Sequence, residues 1–393
     1  MNLNLFGSKK EPKPERQLVV DIRSSSVSAA IVNTAKEIPE IEFVTQSSLY
    51  SLTPSGENVE KFIKDMVNLV DKTLEQVVTV GLPKLSEAGK NKNIKIKNVL
   101  ITYGSPWHKV FTKDIKIKEE KPFVLTKEKF DQLVKDQAGF DEKNSGQRIV
   151  EKDVTHVILN GYELTDPFGK EAKELIISFY GSLISEKILR AIEDKVSSHF
   201  HKPKITNRTF PLILFDSIRN TLINANTFSF FDISGEVTDF GIVDRGSLIF
   251  TGSIPIGKNH IVRNVAKSCK MENSAASSIL TLLAKGETHE SCTKNISKAL
   301  DKVEQEWIDS MKKSLDENKI EVPKRAFVTV DEEGAEIFSR ALNKPSARRN
   351  LFCTEQEIQV VILGENKLRN FVDKKEDVRP NPHITLASIF LKN

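Results

Sequence analysis

The spacing of apolar residues along the chain changes period from segment to segment, and each change predicts an element. Leu18 to Ser48 is dense in β-branched and small apolar residues and predicts three strands. From Glu57 to Val80 the apolar residues Phe62, Met66, Leu69, Val70, Leu74, Val77 and Val78 recur at helical spacing, which predicts one amphipathic helix with a core-facing stripe. Leu82 to Asn93 is polar and lysine-rich, holds Pro83 and Gly89, and predicts a loop. Asn98 to Gly104 predicts a strand. The strands His108 to Lys118, Val154 to Leu164 and Leu175 to Leu183 follow, interleaved with two helices. The first helix is capped by Thr126 and carries Phe130 and Leu133. The second is capped by Ser185 and turns Ile188, Leu189, Ile192 and Val196 inward.

Leu212, Leu214, Phe215, Ile218 and Leu222 predict a buried helix within Lys204 to Asn226. Phe230 to Gly257 reads as three strands with turns at Ser234–Gly235 and Asp244–Arg245–Gly246. His260 to Asn318 is helical, with Asn273 or Ser274 as a cap and a long stripe of Ile296, Leu300, Val303, Trp307, Met311 and Leu315. Strands at Arg325 to Val330 and Glu357 to Leu363, a short helix or turn at Asn366 to Phe371 and a last helix at Pro382 to Leu391 complete the pattern.

One unit occurs twice. VVDIRSSSVSAAIV, Val19 to Val32, aligns without gaps on FFDISGEVTDFGIV, Phe230 to Val243. Asp21 matches Asp232, Ile22 matches Ile233, and Ile31–Val32 match Ile242–Val243. Two strand–Asp–turn–strand units about half a chain apart predict a duplicated fold with a cleft between its halves. An acidic residue at a strand end, followed by small residues with free N–H groups, suits a metal-bound phosphate. The N–H groups cradle the oxygens and the carboxylate orders the water shell of the cation. Asp21, Asp232, Asp239 and the N–H groups of Ser24, Ser25 and Ser26 supply such a cradle here.

The two hairpins resemble the phosphate loops of the actin-like ATPase superfamily. With the segment HVILNGYELTDPFGK, His156 to Lys170, the chain most resembles its FtsA and PilM branch. The resemblance implies an α/β fold, actin-like, of duplicated ribonuclease H-like domains with an inserted α+β (SHS2-like) subdomain. It divides the chain into a flexible tail (1–17), a first domain (18–105 and 204–228), the insert (106–203) and a second domain (229–393) whose helical subdomain spans about 258–322. It further implies ATP with Mg2+ as ligand, held by Asp21, Arg23, Ser24, Ser25, Ser26, Asp232, Ser234, Gly235, Asp239, Gly334 and Ala335, with Asp21 and Asp232 ordering the metal indirectly.

Three loops depart from the family pattern. Arg23 stands where the family has glycine, Ser234 and Glu236 replace glycines in the second hairpin, and Asp331, Glu332 and Glu333 precede Gly334 at the adenosine turn. Glycine allows close backbone approach to phosphate, and acids repel it. Three roles stay open for Arg23: obstructing phosphate, binding it, or filling the site with its own cation. The expectation is weak or lost ATP binding, negligible turnover and a cleft that serves as a hinge set by partners. No catalytic residue is assigned. His156 and Tyr162 lack a neighbouring acid or nucleophile motif and read as structural, and Asp216 reads as a solvated helix residue.

The resemblance implies an FtsA-like scaffold on the cytoplasmic side of the membrane, in cell division. The alternative is a PilM-like component of type IV pilus assembly. A short, almost wholly helical second subdomain favours that alternative, as does the absence of an FtsA-type C-terminal membrane helix before Asn393. A small-molecule kinase of the superfamily is a third class, which the insert argues against. In either scaffold the insert and the helical subdomain serve partner contact and self-assembly.

Composition adds bounds. With 393 residues, 39% hydrophobic and 28% charged, the chain can bury more than one sizeable core. A net charge of +4 is too small to argue for nucleic acid. No apolar run reaches the roughly 20 residues of a spanning helix, and no secretory signal is visible, so any membrane association is peripheral. Cys269, Cys292 and Cys353 show no metal or disulfide spacing, which fits a reducing cytoplasm. The tail combines Leu3, Leu5 and Phe6 with Lys9, Lys10, Lys13 and Arg16, a composition suited to a membrane surface, a partner, or plain solvation.

Overall fold

A computed structural model describes residues 16–49, 59–89, 94–137, 146–164, 167–222, 226–284, 286–287, 293–379 and 381–392. The first sheet contains β1 (Arg16–Ile22), β2 (Ser26–Asn33), β3 (Glu40–Ser48), β4 (Asn98–Tyr103), β9 (Lys204–Thr209) and β15 (Asp373–Lys374), in the order β15-β3-β2-β1-β4-β9. The second contains β10 (Phe228–Ile233), β11 (Thr238–Asp244), β12 (Ser247–Ile254), β13 (Arg325–Thr329) and β14 (Gln359–Ile362), in the order β12-β11-β10-β13-β14. β1 pairs antiparallel with β2 and parallel with β4; β10 pairs antiparallel with β11 and parallel with β13. The duplication read from the two hairpins is therefore a duplication of sheet topology.

Both faces of each central strand are buried, which is why β1 and β10 read as unbroken apolar runs. Successive side chains point to opposite faces. Leu18, Val20 and Ile22 join Phe62, Met66 and Val70 of α1 (Val59–Gln76) and Leu189 of α4 (Glu186–His199) in one core. Val19 faces the other way, into a core shared by both sheets: Phe228, Phe230 and Phe327 meet Phe210, Ile213 and Leu214 of α5 (Phe210–Thr221) and Ile384 and Ala387 of α12 (Pro382–Phe390) there. The far face of the second sheet, with Phe231 and Phe240, is covered by α6 (Lys258–Cys269), α7 (Asn273–Ala284), α8 (Thr293–Asn318) and α9 (Glu332–Asn343) around Trp307.

Between β4 and β9, neighbours in the first sheet, the chain builds an insert. It holds β5 (His108–Val124), α3 (Lys127–Gln137), β6 (Gln147–Leu159), β7 (Tyr162–Glu163) and β8 (Glu171–Ser185), with sheet order β5-β8-β6-β7, and ends in α4. It touches the second sheet as well: the Thr112 hydroxyl donates to the Ile249 carbonyl (2.9 Å).

Four expectations are corrected. Arg16 and Gln17 belong to β1, and Gln17 is held by Thr34 Oγ1 (3.2 Å); the rest of the expected tail lies outside the described residues. Leu82 to Asn93 was expected as a loop, yet Leu82–Gly89 is helix α2. A helix interior rejects proline, which lacks an N–H and strikes the carbonyl one turn back. Here a wider π-helical turn, Val77–Gly81, comes just before Pro83 and lets the helix continue. Asp216 is half-buried and not freely solvated, and burial pushes its carboxyl up to about 7. Cys269, at the end of α6, is disulfide-bonded, whereas Cys353 is free; separation along the chain does not decide which thiols fold together. Among the described residues no helix is long and apolar enough to cross a membrane.

Candidate functional site

Asp21 and Asp232 occupy the same place in their sheets. Each is the penultimate residue of its strand, opposite Thr102 in β4 and Thr329 in β13 respectively. Thr102 Oγ1 donates to Asp21 Oδ1 (2.5 Å). The two carboxylates converge on one guanidinium. Arg23 turns back from its loop, places Nε against Asp21 (2.8 Å to Oδ2) and gives Nη1 to Asp232 Oδ2. Its planar face lies on the Phe210 ring, 3.7 Å from Cζ to the ring centroid. The residue is 2% exposed. Gly104, directly after β4, makes the space: a Cβ there would stand 2.8 Å from Arg23 Nη1.

A second side chain reaches Asp232 from α12, where His383 Nε2 lies 2.9 Å from Oδ1. The His383 ring also meets Phe210 edge-on, with centroids 5.1 Å apart. Asp232 thus enters from the second sheet into a socket made by elements packed on the first: the Arg23 loop, α5 and α12. Burial works against the Arg23 charge, but Asp21 and Asp232 outweigh it and raise the guanidinium pKa above its ordinary value. Burial likewise works against an ionised Asp232, and Arg23 and His383 outweigh it, holding the carboxyl below its usual range.

The loops around this pair close on each other. Ser24 Oγ and Ser234 Oγ are 2.8 Å apart, and the Glu236 N–H donates to Ser24 Oγ (2.9 Å). Gly235 lies so close to Ser25 that a Cβ at Gly235 would overlap its hydroxyl. Asn259 N–H and Lys258 N–H donate to the carbonyls of Gly235 (2.8 Å) and Ser234 (3.0 Å). Ser26 begins β2, and its carbonyl accepts the Arg23 N–H (2.8 Å). Asp239 is used by the other wall: Ser105 donates to it through its N–H (3.0 Å) and hydroxyl (2.5 Å), and the Ser253 hydroxyl joins them. His108 Nε2 stands 4.0 Å from Asp239, and burial lowers its pKa, keeping the ring neutral.

Two further acids of these loops, Glu236 and Asp331, are paired too. Glu236, 6% exposed, receives Arg263 in a two-pronged bond (2.9 and 2.8 Å) and the Asn259 amide (2.9 Å). Asp331 caps α9 by accepting the Gly334 N–H (3.2 Å) and pairs with Lys258 Nζ. The Gly334 N–H is therefore already engaged, and Ala335 packs against the second-sheet core.

Of the predicted residues, the structure brings Asp21, Arg23, Ser24, Ser25, Asp232, Ser234 and Gly235 to one point. Asp239 stands on the adjoining wall, and Ser26, Gly334 and Ala335 serve backbone or core contacts. Phe210, His383, Arg263 and Gly104 belong to the site and were missed; only Gly104, at a predicted strand end, carried a local signal. These residues do not fit a magnesium-bound phosphate chain. The place between the aspartates is taken by a guanidinium, and the two loops that would flank phosphates are in contact.

The fold is that of the actin-like ATPases. A solved PilM-PilN type IV pilus biogenesis complex contains a chain similar to this one over 97% of its length and 100% of the other, at 11% identity and a TM-score of 0.61. Ethanolamine utilization protein EutJ from Carboxydothermus hydrogenoformans is similar over 97% of this chain and 90% of the other, at 10% identity and a TM-score of 0.45. No family model and no curated protein sequence matches the chain.

Proposed function

We propose that this protein is a nucleotide-independent scaffold of the PilM type, which works at the cytoplasmic face of a membrane and holds the tail of a membrane-anchored pilus-assembly protein. The carrying observation is the Arg23 bridge between Asp21 and Asp232. A buried guanidinium shared by two carboxylates supplies the positive charge that Mg2+ would bring, and it is covalently part of the chain. The cleft is then an internal joint, and binding work falls to other surfaces. The full-length likeness to a chain of a PilM-PilN complex supports the pilus reading over the division reading. So does the block between β12 and β13, which among the described residues contains α6, α7 and α8 and no strand.

Calorimetry tests the proposal in two titrations. ATP with Mg2+ gives no binding heat with the wild-type protein. A synthetic peptide of the cytoplasmic tail of a pilus membrane protein from the same genome binds, with the same affinity whether or not ATP is present. Sub-micromolar ATP binding, or peptide binding that requires ATP, would overturn the reading. If ATP binds and Arg23→Gly abolishes it, Arg23 is a phosphate ligand and the bridge is a resting state only.

A further inference from the structure

The first residue of α5 is the floor of the bridge, and the residue before it is gripped by the insert. Thr209 is the N-cap of α5 but makes no capping bond with its own side chain. The Glu151 carboxylate of β6 does the capping instead. It accepts the Thr209 N–H (2.9 Å, Oε1) and the Thr209 hydroxyl (2.5 Å, Oε2), and the Ser182 hydroxyl of β8 donates to it as well (2.5 Å). Glu151 is 2% exposed. An anion here is favoured by the unpaired N–H groups of the helix start. Phe210 follows directly, with Arg23 on its face and His383 at its edge.

The grip is dense in charge. Arg208 of β9 stands 3.7 Å from Asp153 of β6, and Arg219 of α5 donates to the Thr155 carbonyl (2.7 Å) and stands 3.8 Å from Glu163. His156 lies 3.1 Å from Glu163, and the Tyr180 hydroxyl of β8 shares Thr209 Oγ1 (2.6 Å). Asp216 of α5 feels Asp153, Arg219 and Arg208. The insert is thus tied to α5 by several bonds, and one of them ends a single residue from the ring under Arg23.

We propose that the insert is the control arm of the cleft, with Glu151 as the positioning residue: by fixing Thr209 it fixes Phe210, and Phe210 sets whether Arg23 reaches Asp232. Force applied to the insert by a bound partner would then loosen the joint between the two halves. The inference rests on the closed bridge and on no partner's identity. Its test contains neither nucleotide nor partner, so its failure is separable from failure of the scaffold reading.

Hydrogen exchange read by mass spectrometry on the full chain tests it. The reporters are the amides of Arg23, bonded to Ser26 O (2.8 Å), and of Glu236, bonded to Ser24 Oγ. Glu151→Ala should speed exchange at both by about tenfold or more while α8 amides around Trp307 stay unchanged. Asp114→Ala, which cuts the Ser178–Asp114 bond elsewhere in the insert, should leave both reporters as in the wild type. Phe210→Leu should speed the reporters without touching the Glu151 bonds. If Glu151→Ala does not fold, Glu151→Gln keeps the shape and is read in the same way. The proposal is overturned if only the first turn of α5 speeds up, since Glu151 is then a local cap. It is also overturned if α8 speeds up equally, since the effect is then global.

Discussion

Replacing Arg23 by methionine keeps most of the side-chain volume and removes the charge. The side chains of Asp21 and Asp232 are 1% and 0% exposed, so neither can recover water when the guanidinium leaves. Two carboxylates then share one dry site. Removing one partner of a buried ion pair costs about 3–5 kcal/mol, because the remaining charge is uncompensated. Loss of a desolvated guanidinium from the Phe210 face adds on the order of 2 kcal/mol. A loss of about 5–7 kcal/mol is therefore expected, a large share of the roughly 5–15 kcal/mol of a typical domain. Arg23→Lys should cost less than methionine but still about 2 kcal/mol, because a single ammonium cannot present one edge to Asp21, another to Asp232 and a flat face to the ring. The triple variant Asp21→Asn, Arg23→Met, Asp232→Asn should recover most of the loss, since no charge is left unpaired. Urea unfolding followed by circular dichroism at pH 7 measures all three, with the m-value checked for constancy. The methionine loss should also shrink as pH falls from 7 to 4, because a proton taken up by one carboxyl removes the repulsion. A methionine variant within about 1 kcal/mol of wild type, the range of an exposed pair, would refute the reasoning.

The pH dependence of stability should fall in a defined direction. Glu151 and Asp216 are pushed up to about 7 from 4.5 and 3.8, so each binds a proton when folded that the unfolded chain releases. Their contribution is full below the ordinary carboxyl range and is lost as pH rises through 7, at about 1.4 kcal/mol per pH unit for each group. Scanning calorimetry from pH 5 to 8 should show the melting temperature falling, with a shallower slope for Glu151→Gln; a rising profile would count against both assignments. Asp232→Asn should loosen the contact between the loops more than Asp21→Asn, because Asp232 alone comes from the second sheet; exchange at Glu236 N–H separates them, and equal effects would argue against the socket. Gly235→Ala forces the loops apart at Ser25 and should cost about 1–3 kcal/mol in the same unfolding assay, as overpacking does; a neutral result would mean that the loops do not touch in solution.

The duplicated fold was legible because its cause is local. β1 and β10 are buried on both faces, so each is an apolar run, and each ends in an aspartate at the same register. The insert was legible for a similar reason: Ile188, Leu189, Ile192 and Val196 keep helical spacing and are all buried. The helix at Leu82–Gly89 was not legible, since Pro83 is a stop signal unless a wider turn precedes it, and no residue in Val77–Gly81 marks such a turn. Nor was the role of Arg23. Where a long side chain turns depends on the space at Gly104 and the ring of Phe210, and both come from other elements. His383 and Arg263 lie on helices in segments that read as packing alone.

The departures from the family pattern counted, in sequence, as subtractions: a glycine lost to arginine, others lost to serine and glutamate, acids gathered at a turn. In the structure three of the added charges, Arg23, Glu236 and Asp331, meet an opposite charge from a different element. Arg23 meets Asp21 and Asp232, Glu236 meets Arg263, and Asp331 meets Lys258. A site that had merely stopped binding phosphate would keep its aspartates and leave the changed residues unpaired, because nothing would act on them. Pairing within the chain is a different condition, and Arg23 with Asp232 carries it across the cleft. It replaces a ligand that neutralises the two aspartates from outside with cations carried by the chain, so that the joint holds without one. The cost of opening then depends on how well Arg23, His383 and Phe210 stay in place around Asp232. Phe210 is the member of that set that the insert reaches, through Glu151 and Thr209.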